Sequence, residues 1–98
     1  MEIHITGRNI EITPALKLFT EEKMEKLTHR HDTITSLQVT LHVENLDHAG
    51  EATAHVYGTE IHASAKSNDM YTTIDMLSEK LLTQLTKHKE KMTDHHQR

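Results

Sequence analysis

Leu37, Val39, Leu41 and Val43 alternate with Gln38, Thr40, His42 and Glu44, the period of a strand with one apolar and one polar face. The alternation recurs in Ala52, Ala54 and Val56 against Thr53, His55 and Tyr57, and in Ile61, Ala63 and Ala65 against His62 and Ser64. Asn45 to Gly50 reads as a polar connection and Gly58-Thr59 as a turn, so the three strands form an antiparallel meander with a single apolar face. Ile3 and Ile5, flanked by Glu2, His4 and Thr6, predict a shorter strand ended by a Gly7-Arg8-Asn9 turn.

The period changes in two places. At Thr13-Pro14 a threonine hydroxyl can accept from free amides and a proline at the first helical position loses no needed donor, so a helix starts there. Leu16, Phe19, Met24 and Leu27 form its apolar face, with Phe19 expected in the core, and Lys23, Lys26 and Arg30 share its exposed side. A longer helix begins at Asn68 or Asp69, both good capping types, and carries Met70, Ile74, Leu77, Leu81 and Leu85 at helical spacing. It is expected to fade after Met92 into a polar tail, 93–98.

The resulting order is β-α-β-β-β-α. One apolar face per strand places both helices on the same side of a four-stranded mixed sheet, an α+β fold. Strands joined through a helix should run parallel with a right-handed crossover. At 98 residues and 35% hydrophobic content the chain holds one domain, expected over 1–92. Without cysteine there is no disulfide or thiolate site, and no stretch approaches the roughly 18 apolar residues of a membrane span. A soluble cytoplasmic protein without a membrane partner is expected.

Charge is uneven in a way that the net of -4 conceals. Residues 1–31 carry five Lys/Arg and five Asp/Glu, residues 32–65 none and five, and residues 66–98 six and five. The cations therefore lie in the flanking thirds around an acidic middle. With ten histidines, any affinity for a polyanion should rise as pH falls below 7.

Lys80, Gln84, Lys87 and Lys91 recur at i, i+4, i+7 and i+11, placed opposite the Leu77, Leu81, Leu85 stripe. Three ammoniums and an amide in line can follow phosphates without reading sequence. The plainer reading is a solubilising lysine face. Two features favour the polyanion: only Glu90 is acidic between Lys80 and Met92, and the first helix offers a second basic face. Lys23, Lys26, Arg30, Lys80, Lys87, Lys89 and Lys91 would then make one patch.

Histidines 4, 42, 55 and 62 fall on outward strand positions, where a flat sheet scatters the rings, so no metal site is expected. His95-His96 reads as a frayed end. No acid, base and nucleophile set can be named, no G-x-S-x-G elbow occurs, and the glycines at 7, 50 and 58 make no phosphate loop. Asp69 and Asp75 suggest a pair, but Asp69 more simply caps a helix. Catalysis, a cofactor and a small-molecule substrate are not expected. Phe19, Tyr57 and Tyr71 are too few for stacking of successive bases, even with Tyr57 on the polar sheet face.

Asp69-Met70-Tyr71-Thr72-Thr73-Ile74-Asp75 and Gln84-Leu85-Thr86-Lys87-His88-Lys89-Glu90-Lys91 resemble motifs of the ribosome hibernation promoting factor family, which includes the inhibitor called protein Y. The resemblance continues through Ile5-Thr6-Gly7-Arg8-Asn9 and Glu60-Ile61-His62-Ala63-Ser64-Ala65, and so covers nearly the whole chain. It implies a fold similar to double-stranded-RNA-binding domains, and binding to the small ribosomal subunit between head and body, over the messenger and transfer RNA sites. Translation would be blocked in starvation or stationary phase. Carried over by position, the ribosomal RNA contacts would be Lys87, Lys89 and Lys91, with Lys80 and Gln84 just before them and, less specifically, Lys23, Lys26 and Arg30. Thr83 stands where relatives commonly have arginine, which would weaken phosphate attraction, and Thr72-Thr73 replaces a more usual alanine pair. The few residues after Met92 resemble a short form, which implies pairing of inactive ribosomes together with a separate ribosome modulation factor. A general double-stranded-RNA binder, or a protein-interaction module using the acidic sheet face, stand as alternatives.

Overall fold

The structure, a computed structural model, describes residues 2–96, with side chains described through Lys89. The side chain of Lys91, those of His95 and His96, and the end of the 93–98 tail lie outside the described residues. The elements are β1 (Glu2–Arg8), α1 (Pro14–Arg30), β2 (Ser36–Glu44), β3 (Asp47–Val56), β4 (Thr59–Ser67) and α2 (Met70–His96). The sheet has the order β1-β2-β3-β4, with β1 parallel to β2 and the other neighbours antiparallel.

Register explains why one face is core. Ile3, Leu37, Ala54 and Ile61 form one transverse row, and Ile5, Val39, Ala52 and Ala63 the next. Both rows lie under the helices, where Leu37, Val39 and Ala54 are buried with Leu16, Met24 and Leu27 of α1 and Met70, Ile74, Leu77, Leu81 and Leu85 of α2. The opposite face carries the row His4, Gln38, Thr53 and His62, as the alternation predicts. Phe19 is only partly buried: it packs against the core and meets Tyr71 edge to face at 5.0 Å, joining the two helix starts at the core's margin.

Both helix starts follow from local chemistry. The Thr13 hydroxyl accepts from the Leu16 amide at 3.2 Å with Pro14 at the first position, and the Asp69 carboxylate accepts from the Thr72 amide and hydroxyl, each at 2.9 Å. These two bonds hold the Asp69 carboxyl below its ordinary pKa. Thr73 is fully buried, and its hydroxyl donates to the His48 carbonyl at 2.7 Å.

Several boundaries differ from the sequence reading. The connection expected over Asn45 to Gly50 is a two-residue turn, because Asn45 takes φ 58 and Glu44 pairs with Asp47. Gly50 therefore lies within β3, buried where α2 crosses: a Cβ there would sit 3.2 Å from Leu41 Cδ2 and 3.3 Å from Leu77 Cδ2. β1 continues through Gly7 and Arg8, and Asn9, also at φ 58, makes the turn. At Gly7 a Cβ would stand 2.6 Å from the Ile10 carbonyl oxygen, so the returning chain needs glycine there. Tyr57 lies in the turn before β4 and not on the sheet face. The α2 backbone runs to His96, beyond the expected fading point at Met92.

Gly7→Ala is expected to destabilise the fold by about 1–3 kcal/mol, because its methyl meets backbone. Gly50→Ala should cost less, because its methyl meets movable leucine and threonine side chains; urea unfolding of both variants measures the difference. Asp69→Ala should lower the melting temperature at neutral pH. Because the folded-state pKa is depressed, the carboxylate stabilises above the unfolded pKa and that contribution disappears as pH falls through the folded value. The wild-type and Asp69→Ala melting curves should converge in acid.

Candidate nucleic-acid interface

α2 lies across β3 and β4 and beside α1, so its two flanks face different neighbours. At about 100° per residue, Lys80, Gln84 and Lys87 fall within roughly 80° of Leu77, on one flank of the apolar stripe rather than opposite it. The hydrogen bonds agree. Lys80 Nζ donates to the Ser64 carbonyl at 2.9 Å and Gln84 Nε2 to the His62 carbonyl at 2.7 Å, so both reach down to the edge strand β4. With Glu51, Thr53, His62, Ser64, Met76, Glu79 and Thr83 they line an open groove of about 920 Å³ along that edge. Lys87 is exposed one turn further along the same flank.

The other flank meets α1. Lys23 Nζ donates to Asp75 Oδ1 at 2.7 Å and lies 5.5 Å from the Phe19 ring centroid, a tie between the helices. Asp75 is thereby an ion-pair partner and Asp69 a helix cap. Lys26, His29 and Arg30 continue along the α1 wall of a shallow groove whose α2 wall carries Asp75, Ser78, Glu79 and Leu82. Lys26, Arg30 and Lys89 are exposed.

The eight residues expected to meet RNA thus divide. Lys80, Gln84 and Lys87 lie toward β4, Lys23, Lys26 and Arg30 lie toward α1, and Lys89 acts on His31 at the end of α1; Lys91 is outside the described side chains. The single patch read from the sequence is two basic flanks separated by the back of α2, where the Thr83 hydroxyl donates to the Glu79 carbonyl at 3.0 Å. The cations differ in readiness. Lys26, Arg30 and Lys87 present charge outward, whereas Lys23, Lys80 and Gln84 must first leave internal partners; the charge of Lys89 acts on His31. For Lys80 and Gln84 the exchange gives up one surface hydrogen bond each, worth about 0.5–1.5 kcal/mol net.

The sequence reading did not single out His31. It caps the end of α1, its amide donating to the Leu27 carbonyl at 2.9 Å, and it is 9% exposed. Burial first, then the Lys89 ammonium and the Arg30 guanidinium, hold its pKa below the ordinary value, while Asp32 opposes them. The cations of α1 and α2 therefore act together on one buried imidazole. Its place after Arg30 was the only sequence signal.

On the water side of the sheet, Glu60 lies between His55 Nδ1 at 3.1 Å and His62 Nε2 at 3.6 Å, and the Thr53 hydroxyl meets His62 Nδ1 at 2.9 Å. Among the described residues no group of three or more His, Cys, Asp or Glu is arranged to hold a metal ion.

Known proteins share both this fold and this sequence. The chain is 50% identical over 95 residues to the ribosome hibernation promoting factor of Escherichia coli K12, covering 97% of this chain and 100% of the relative. To that of Azotobacter vinelandii it is 45% identical over 97 residues, covering 99% and 91%. A ribosomal subunit interface protein from Coxiella burnetii superposes with a TM-score of 0.88 at 38% identity, covering 92% of this chain and 99% of that one. The N-terminal domain of Thermus thermophilus protein Y superposes at 0.83 and 27%, covering 90% and 99%. The family model described as sigma 54 modulation protein / S30EA ribosomal protein matches residues 3–93, and the chain belongs to that family, with the ribosome hibernation promoting factors among its members.

Proposed function

We propose that this protein is a non-enzymatic ribosome hibernation factor that binds the small ribosomal subunit at the decoding region, over the messenger and transfer RNA sites, and silences translation in stationary phase. The observation that carries the reading is the half-identity to a ribosome hibernation promoting factor along that relative's full length. The cationic helix flanks supply the chemistry: ammonium and guanidinium groups attract phosphate without needing to read bases. Lys26, Arg30 and Lys87 meet phosphate first, Lys89 and Lys91 join them, and Lys23, Lys80 and Gln84 exchange internal partners for phosphate as the surfaces close. The sheet face, with Glu51 and Glu60, turns away from RNA. Specificity comes from the fit of a preformed shape in a groove. In this reading the silenced ribosomes pair, with ribosome modulation factor acting through the dimers and not on this chain.

His31 adds a proton linkage. Burial is the largest cause of the depressed His31 pKa, and the cations add to it; a phosphate drawn in by Arg30 and Lys89 offsets the cationic part, so binding raises that pKa and takes up a proton. Affinity then rises as pH falls toward and below the ordinary histidine value of about 6.5. The free fold responds oppositely: the unfolded chain binds more protons than native His31, so that contribution to stability shrinks as pH falls through the same range.

Arg30→Glu, Lys87→Glu and Lys89→Glu combined should reduce co-sedimentation with small subunits at least about tenfold. The slope of log affinity against log salt should also become shallower, by about one for each phosphate no longer neutralised. Undiminished pelleting would refute the assigned surfaces; equal affinity for a plain RNA duplex would favour a general duplex binder. Wild type should bind small subunits more tightly at pH 6 than at pH 7.5, and His31→Gln should reduce that difference. Sucrose gradients of stationary-phase cells with and without the protein test ribosome pairing, which fails if the dimer peak is unchanged.

A further inference from the structure

The sheet has two edges and the molecule treats them differently. At β4, Lys80 and Gln84 donate to the Ser64 and His62 carbonyls, occupying acceptors that an incoming strand would need. At β1, among the described residues, no helix side chain or loop makes a corresponding bond to the outer edge. The core also thins there: Ile3 and Ile5 are only partly buried, although their register partners Leu37 and Val39 are 0% and 1% exposed. An open edge with half-covered isoleucines is a site for strand addition.

The sequence of that edge specifies what would pair with it. β1 reads Glu2-Ile3-His4-Ile5-Thr6-Gly7-Arg8. Laid antiparallel against a second copy with Ile5 opposite Ile5, Glu2 falls opposite Arg8 of the other copy, and the two-fold axis repeats the pair at the far end. On the core side Ile3 meets Gly7 and Ile5 meets Ile5; on the water side His4 meets Thr6. A shift of two residues in either direction removes both Glu-Arg pairs and leaves ends unmatched. A one-residue shift turns the apolar positions to the wrong face. The strand is self-complementary in charge, face and length in this register alone.

We infer that β1 is a self-association edge, through which two copies of this chain join β1 to β1, antiparallel about Ile5, into one continuous sheet with Glu2-Arg8 pairs at both ends. Association completes the cover over Ile3 and Ile5 and satisfies the free backbone groups of the edge. The guarded β4 edge stops the sheet from growing further, so the assembly closes at two copies. The inference stands independently of the ribosome reading.

Sedimentation of the full chain from micromolar to millimolar concentration tests it. The expected result is a monomer giving way to a dimer. Glu2→Arg or Arg8→Glu alone should weaken the dimer about tenfold, by turning two attractive end pairs repulsive, and the combined exchange should restore it. Lys66→Glu, on the other edge strand, should leave it unchanged. Wild type that stays monomeric at all concentrations overturns the proposal, as does a combined exchange that remains as weak as the single ones while its far-ultraviolet circular dichroism matches wild type. Equal weakening by Lys66→Glu overturns the register by reducing the effect to net charge.

Discussion

The close seating of α2 on β3 and β4 is the constraint from which most of this molecule follows. The strand positions beneath the helix are small, with Gly50, Ala52 and Ala54 on β3 and Ala63 and Ala65 on β4, so the stripe from Met70 to Leu85 descends until a Cβ at Gly50 would crowd Leu77 at 3.3 Å. Larger side chains would lift the helix away and leave voids that dense protein interiors do not tolerate. The buried Thr73 hydroxyl marks the same approach, since its bond to the His48 carbonyl spans from helix to strand.

That seating sets the roles of the charged residues. A helix so near the sheet brings Lys80 and Gln84 within reach of the β4 carbonyls and brings Asp75 to Lys23 on α1. Three residues that look like free phosphate ligands in a linear sequence thus also hold an edge and a helix pair. At the far end of the helix pair the cations converge on His31, whose pKa is depressed by burial first and by their field second.

Much of the architecture was legible because hydrophobic period reports burial directly. A period of two placed the strands, a period near 3.6 placed the helices, and Thr13, Pro14 and Asp69 marked their starts through bonds made within one turn. The misread segments involve residues whose local and tertiary uses conflict. Gly50 looks like a chain breaker and serves as clearance for a helix; Asn45 turns a hairpin in two residues where a longer polar connection was expected.

Element order, core-facing positions and the confinement of cations to the two flanking thirds were all readable along the chain, because each depends on residue type and spacing within one segment. Which cations share a surface was settled by packing instead. Lys80 and Lys23 are both basic helix positions, yet one bonds to β4 and the other to α2, since a helix presents several directions and its packed neighbours alone give each direction a partner. The same holds for His31: its burial beside Arg30 and Lys89 depends on residues far apart in sequence being brought together, and no local pattern encodes that distance.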